Sequence, residues 1–339
     1  MYALSLSLAS LSKQYWHLLC TQGILFGCAL SLVYFPALAI ISHYFEKRKG
    51  LATGIAVSGA GIGGMVLGPT TRLLIFQYEW RKSLLYTGLF GGAVLLFISL
   101  AIRTKLTANS NSWKDATRML KNPTTIILLI SGFFISFGYF IPFYFVSLYA
   151  VRNGLSESEG ALLVAILNGS SAAGRIALGV IADHLGYVST LACCLYVSSF
   201  SIFFIWPFTT SMIGLSIFVI IYGFFVGGYI SLTSPTCVHL FGRESVAGVT
   251  GLVYGSAFLG NLLGSPAAAI LITAFTTKSA VTNVITTDFR PAIVMAGSGL
   301  FMGATFTVLL NWKSMKEWAM VHIGKHPRES SSLNHIVVP

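Results

Sequence analysis

Runs of about 20 consecutive apolar residues recur along the chain. Each is long enough to cross a hydrocarbon layer of about 30 Å as a helix rising about 1.5 Å per residue. Inside a bilayer every backbone polar group must find its partner within the protein, so a chain built this way is confined to a bundle of transmembrane helices. The runs fall at 16–42, 51–76, 82–102, 124–150, 160–182, 187–208, 211–236, 246–272 and 291–312, giving nine full spans. Residues 1–12 are apolar too but too few to cross, and read as the second half of a span. With 55% hydrophobic and 9% charged residues, far below the roughly 25% charged of a soluble domain, the expected fold class is an all-α polytopic membrane protein.

Lys and Arg assign the sides. Thirteen lie in one set of loops and in the tail, among them Lys47, Arg48, Lys49, Arg118, Lys121, Arg243 and Lys313. Six lie in the opposite set: Lys13, Arg81, Lys82, Arg152, Lys278 and Arg290. The positive-inside bias places the first set and the C-terminus in the cytosol. The net charge of +11 then reflects orientation and contact with an anionic leaflet. No basic run is interleaved with aromatics as a nucleic-acid site requires, so no nucleic-acid partner is expected. Cys193 and Cys194 are adjacent, which suits neither a disulfide framework nor a metal cage. No Asp or Glu lies within a span, and the histidines fall at span ends, in loops or in the tail, so neither a catalytic constellation, a metal nor a cofactor is expected.

Arg175 is the only fixed charge between Gly160 and Ala182. A guanidinium near the middle of a span costs roughly 2.5–3.5 kcal/mol on insertion scales, and it cannot lose its proton to escape. It is therefore expected to face the bundle interior or a wet cavity and to hold an anion. The alternative is an Arg satisfied by a backbone carbonyl or another helix's polar group. Ser171 and Asn168 precede it by four and seven residues, on one helical face, where hydroxyl and amide donors accompany a bidentate fork for a carboxylate. Packing by interhelical hydrogen bonds explains those two residues equally well.

Glycines at four-residue spacing let backbones approach closely. Gly59 and Gly63, with Gly64 and Gly68, are read as a sliding seam, or as static packing. Gly251, Gly255, Gly260 and Gly264 repeat the pattern, with Asn261 among them as a candidate for seam or cavity. Glu46-Lys47-Arg48-Lys49 and Arg243-Glu244 occupy equivalent turns, either as latches or as solvated, orientation-setting charges. Asp183 ends the Arg175 span within Gly179-x-x-x-Asp183-x-x-Gly186, a gate-like element or a plain glycine-closed turn. Tyr139, Tyr144 and Tyr222 are cavity-lining or packing aromatics. Arg72 is read as snorkelling outward.

The chain repeats internally. Pro36 to Pro69 and Pro235 to Pro266 each enclose a turn with charged residues and a Gly-rich helix, about 200 residues apart and in one membrane orientation, as in parallel-repeat transporters. Projecting the second half onto the first leaves the first short by two spans and the start of a third. Expected domains are an incomplete N-terminal bundle at 1–103, a cytosolic linker at 104–122, a six-helix bundle at 123–312 and a basic cytosolic tail at 313–339.

The stretch Tyr44-Phe-Glu-Lys-Arg-Lys-Gly-Leu-Ala-Thr-Gly-Ile-Ala-Val-Ser-Gly-Ala-Gly-Ile-Gly63 resembles the cytosolic turn and following helix of the monocarboxylate transporter family, within the major facilitator superfamily. Trp80-Arg81, Lys121-Asn122-Pro123 and Asn168-Gly-Ser-Ser-Ala-Ala-Gly-Arg175 through Gly186 extend the resemblance over nearly the whole chain, closest to its fungal branch. It implies two helix bundles around a central site, alternating access, and Arg175 as the substrate-binding Arg. Ser171 stands where animal members carry Asp, and the cation of the family's first span has no counterpart. Both bear on symport with protons.

The expected function is therefore transport of a small, monocarboxylate-like organic anion across a membrane, the plasma membrane in the first instance, and not catalysis. Efflux of a secondary metabolite and an inactive remnant are the alternatives. Substrate contacts are expected at Arg175, Ser171, Asn168, Tyr139 and Asn261. Conformational roles are expected at Lys47, Arg48, Gly59, Gly63, Asp183 and Arg243.

Overall fold

The structure is a computed structural model that describes residues 1–45, 48–101, 118–242, 246–278 and 285–323. Lys47 and Arg243, and most of the linker, lie outside the described residues. The elements run α1 (Tyr2–Ser10), α2 (Tyr15–Leu18), a π-helical turn (Leu19–Leu25), α3 (Phe26–Tyr44), α4 (Lys49–Ala101), α5 (Pro123–Tyr139), α6 (Ile141–Arg152) and α7 (Glu157–Leu185). There follow α8 (Tyr187–Phe204), α9 (Met212–Phe241), α10 (Val246–Ala274), the strands β1 (Thr276–Lys278) and β2 (Ile285–Thr287), and α11 (Arg290–Ile323). The two strands form one small antiparallel hairpin. The fold is otherwise helical, an arrangement of two helix bundles.

Eight of the described helical stretches are long and apolar enough to cross a membrane. One of them, Lys49–Leu100, has 52 residues, about 80 Å of helix, more than twice what one crossing needs. It breaks at Glu79, whose φ of 64° and ψ of 159° are non-helical. The stretch therefore counts as two crossings, 49–78 and 80–101, which makes the nine read from the sequence. Helix α11 runs on to Ile323, so the first part of the segment read as a tail is helical.

Local chemistry sets the helix ends. Ser156 and Glu159 form a reciprocal capping box at the start of α7, satisfying two of the backbone donors that a helix N-terminus leaves unpaired. Asn122 caps α5 ahead of Pro123. Gly186 and Gly242, with φ of 94° and 78°, follow α7 and α9, where a side chain would be strained.

Packing relies on missing side chains. A Cβ at Gly174 would overlap the backbone of Phe224, and one at Gly223 would overlap Ser170, so α7 and α9 lie in backbone contact. Gly260 and Gly264 do the same for α10 against Phe133 and Phe137 of α5, placing these two inside the second bundle. The main buried cluster lies there as well, around Ile135, Leu195, Trp206, Phe218, Tyr222 and Ile293. In the first bundle, α1 docks on the later part of α4, where Gly88, Gly91 and Gly92 receive Leu6, Tyr2 and Ala3.

Candidate functional site

The two bundles meet mainly along the 49–78 segment of α4 and along α7, which run antiparallel. Gly50 abuts Gly179, Gly54 abuts the backbone at Arg175, and Gly61 abuts Asn168 and Ala172. At Gly64 the neighbour is the Asn168 side chain. A glycine seam runs between the bundles, and of the four glycines read as a seam in this helix it includes Gly64. A Cβ at Gly59 would meet nothing within 4 Å, and one at Gly63 would only touch Leu67 at 4.0 Å. The close approach belongs to Gly50, Gly54, Gly61 and Gly64. Four-residue spacing alone does not say which face of a glycine-rich helix meets a partner.

Beyond Gly64 the two helices separate. A cavity of about 760 Å³ opens there, lined by Gly68, Pro69, Leu73, Phe76, Ala161 and Leu162 among others. At its rim Arg72 and Glu157 form an ion pair at 3.2 Å, with side chains 53% and 81% exposed. Arg72 thus reaches the surface, as a snorkelling side chain does.

At the opposite end Asp183 crosses the seam. Its carboxylate accepts the backbone N–H of Gly50 at 2.8 Å and of Leu51 at 3.0 Å. The Tyr187 hydroxyl donates to it at 2.9 Å. These N–H groups belong to the first turn of α4, where unpaired donors and the helix dipole both favour an anion. Asp183 is therefore an interbundle contact, and the glycine-closed turn at Gly186 is present beside it. Arg48, in the neighbouring turn, is exposed.

Arg175 lies at mid-seam and is 7% exposed. One terminal nitrogen donates to the Val57 carbonyl at 2.5 Å. The carbonyl pairing that the sequence left open is thus real; it engages one terminal nitrogen of a group with five donors, and the Tyr139 hydroxyl also bonds the guanidinium. Nε has no partner. Among the described residues the one ion pair is that of Arg72 with Glu157, so no described carboxylate neutralises Arg175. Tyr139 and Tyr34 lie within electrostatic reach of the guanidinium.

The candidate residues separate. Ser171 and Arg175 both pack against Gly227 of α9, and the Ser171 hydroxyl, fully buried, has no partner. Asn168 instead faces Gly61 and Gly64, and its amide nitrogen donates to Val164 O at 2.9 Å. The Asn261 carbonyl oxygen is buried without a partner. Tyr139 is 3% exposed, with its ring 5.6 Å from that of Tyr229. Tyr222 is a packing residue: fully buried, it donates to Tyr139 O at 2.7 Å. Tyr144 is 59% exposed. Sequence reasoning passed over Tyr34, Tyr229 and Tyr254, because an aromatic residue in an apolar span gives the same signal whether it packs or lines a site.

The profile of the Major Facilitator Superfamily matches residues 1–265. The MFS-type transporter pynF of Aspergillus niger is 30% identical over 322 residues, covering 94% of this chain and 72% of the relative. The agnestins efflux protein AgnL12 of Paecilomyces divaricatus is 32% identical over 273 residues, 77% of this chain and 60% of its own. Monocarboxylate transporter 12 of Xenopus laevis is 30% identical over 300 residues, 79% and 65% respectively. The chain thus spans less than two thirds of the latter two. The crystal structure of the E. coli fucose:proton symporter FucP superposes with a TM-score of 0.69 at 15% identity, over 91% of this chain and 81% of that one, a likeness of fold.

Proposed function

The chain belongs to the Major Facilitator Superfamily, and on that footing we propose that it carries a small organic anion across a membrane by alternating access, with Arg175 binding the cargo's acid group. The observation that carries this reading is a buried guanidinium with Nε unpartnered and no described carboxylate beside it. In a low-dielectric interior that arrangement is costly until an anion completes it. The cargo's carboxylate takes the fork, and the Ser171 hydroxyl on the same face offers a neutral donor. Tyr139 lies beside them.

Arg175 sits on the seam itself. Its Val57 contact and the Gly54 approach change whenever α4 and α7 shift, so binding and rocking are linked through one side chain. Asp183 on the first turn of α4 holds one end of the seam closed, while the other end gapes. Arg48 stands at the turn beside that closed end, and conformational roles for Lys47 and Arg243 rest on the sequence alone. With the basic loops inside, that end and the C-terminus are cytosolic, and the membrane is the plasma membrane. Ser171 in place of an acid leaves any proton coupling to other groups.

A second reading, efflux of a secondary metabolite, is favoured by the similarity to AgnL12, whose name states an efflux role. Both readings use the same site and differ in direction and cargo size. Flux in proteoliposomes containing the purified full chain separates them. Radiolabelled lactate, pyruvate and benzoate are loaded on either side, with Arg175→Gln as the comparison. Saturable flux that the substitution lowers at least about 10-fold, the value of a lost charged hydrogen bond, supports the proposal. Equal flux in the two proteins overturns it.

A further inference from the structure

Four of the chain's 14 tyrosines form a linked group from four different helices beside Arg175: Tyr34 on α3 and Tyr139 on α5, with Tyr254 on α10 against the first and Tyr229 on α9 against the second. Tyr34 and Tyr139 lie within electrostatic reach of the guanidinium. The Tyr139 and Tyr229 rings are 5.6 Å apart. The Tyr34 and Tyr254 rings meet edge to face at 6.3 Å and 84°, and their hydroxyls hydrogen-bond. Tyr229 in turn contacts the Ser136 hydroxyl at 3.2 Å.

Tyrosine in a membrane protein ordinarily sits at the water interface, where its hydroxyl is wet. Two of them within reach of one permanent cation, each with a second tyrosine against it, need another reason. Packing accounts for Tyr222, whose ring stacks on Phe218 and is fully buried. It does not account for Tyr34 and Tyr254, which are only half-buried. These two belong to opposite bundles, so their ring contact joins the halves and must part when the halves rock.

We infer that the Arg175 site selects an aromatic acid, its ring seated among Tyr34, Tyr254 and Tyr139 and its anionic group on Arg175. The inference rests on the reading that Arg175 binds an anion and adds the chemical class of what carries it. Aromatic rings favour edge-to-face and offset contacts over aliphatic neighbours. A short aliphatic acid such as lactate reaches the guanidinium but leaves the tyrosine faces unfilled.

The test uses the full chain in proteoliposomes, with labelled benzoate and lactate as probes. Wild type is expected to take benzoate with a KM about 10-fold below that for lactate. Tyr34→Ala and Tyr254→Ala are expected to remove that preference, raising the benzoate KM about 10-fold more than the lactate KM. Tyr34→Phe is expected to retain the preference, since the ring remains. A merely structural role for the tyrosines lowers both acids equally, and that result overturns the inference. So does a wild-type protein that moves lactate as well as or better than benzoate, a comparison that needs no variant to fold. If neither acid moves, or if Arg175→Gln moves both unchanged, the anion site itself fails, and this inference with it.

Discussion

Asp183 and Gly50, 133 positions apart in sequence, join the two bundles: the Asp183 Oδ1 accepts the Gly50 N–H at 2.8 Å. With Leu51 supplying a second N–H, a full negative charge sits on the first turn of α4. An anion at a helix N-terminus is worth about 0.3–2 kcal/mol, depending on burial. Asp183→Asn removes the charge and keeps one acceptor. The expected result is an opening of the seam at this end by roughly 3- to 10-fold, the conversion of about 0.7–1.4 kcal/mol. Thr53 is 3% exposed beside the seam, so maleimide labelling of Thr53→Cys in a cysteine-free background reads that opening. An unchanged labelling rate in the double variant removes the latch role of Asp183.

Gly54 and Gly63 separate the seam from the open face of the same helix. A Cβ at Gly54 would overlap the Arg175 carbonyl, whereas Gly63 has room. Overpacking a close contact costs about 1–3 kcal/mol, and here it also displaces the helix that carries Arg175. Gly54→Leu is expected to reach the membrane yet lose at least about 10-fold in flux. Gly63→Leu is expected to keep flux within about 2-fold. Equal losses at the two positions contradict the assignment of the seam face.

Tyr222 supports the break between α5 and α6. Pro142 has no N–H to offer the preceding turn, and the nearby Tyr139 carbonyl takes the Tyr222 hydroxyl at 2.7 Å. Buried hydrogen bonds between membrane helices contribute about 0.6–2 kcal/mol. Tyr222→Phe is expected to lower unfolding stability by that amount in a denaturant titration, without abolishing flux. A loss of flux with unchanged stability would instead make Tyr222 a cargo contact.

The Arg72–Glu157 pair is highly exposed, and exposed pairs contribute about 0–1 kcal/mol. Arg72→Ala is expected to leave stability within about 1 kcal/mol of wild type. Any effect on flux should vanish at high salt, where exposed charges are screened. A salt-independent loss of flux would place Arg72 in the transport path.

Hydropathy made the nine crossings legible, because span length is set by bilayer thickness rather than by partners. The run across Glu79 was legible too: the polar stretch 77–81 divides the spans 51–76 and 82–102, and the non-helical backbone of Glu79 falls within it. Arg175 was legible for the same reason: a charge in an apolar run is conspicuous wherever it faces. Which neighbours surround it was not. Ser171 and Asn168 share a helical repeat with Arg175, yet one turns to Gly227 and the other to Gly64, because α7 is wedged between two helices. The seam glycines were legible only in part: four-residue spacing picked out Gly64, which meets Asn168, alongside Gly59 and Gly63, which meet no partner helix, and it did not single out Gly61. Asp183 was legible as a helix end, but its acceptance of N–H groups from Gly50 and Leu51 is a long-range contact that no local pattern encodes.

The most direct measurement is anion affinity of the purified full chain in detergent or nanodiscs, read by equilibrium binding of labelled benzoate and lactate. A bidentate guanidinium–carboxylate pair is replaced poorly by a point charge and not at all by a neutral amide. Arg175→Lys is therefore expected to weaken binding about 10-fold, and Arg175→Gln to reduce it by about 100-fold or more, with folding checked by the melting curve. Binding by a folded Arg175→Gln protein at wild-type affinity would contradict the account at its centre.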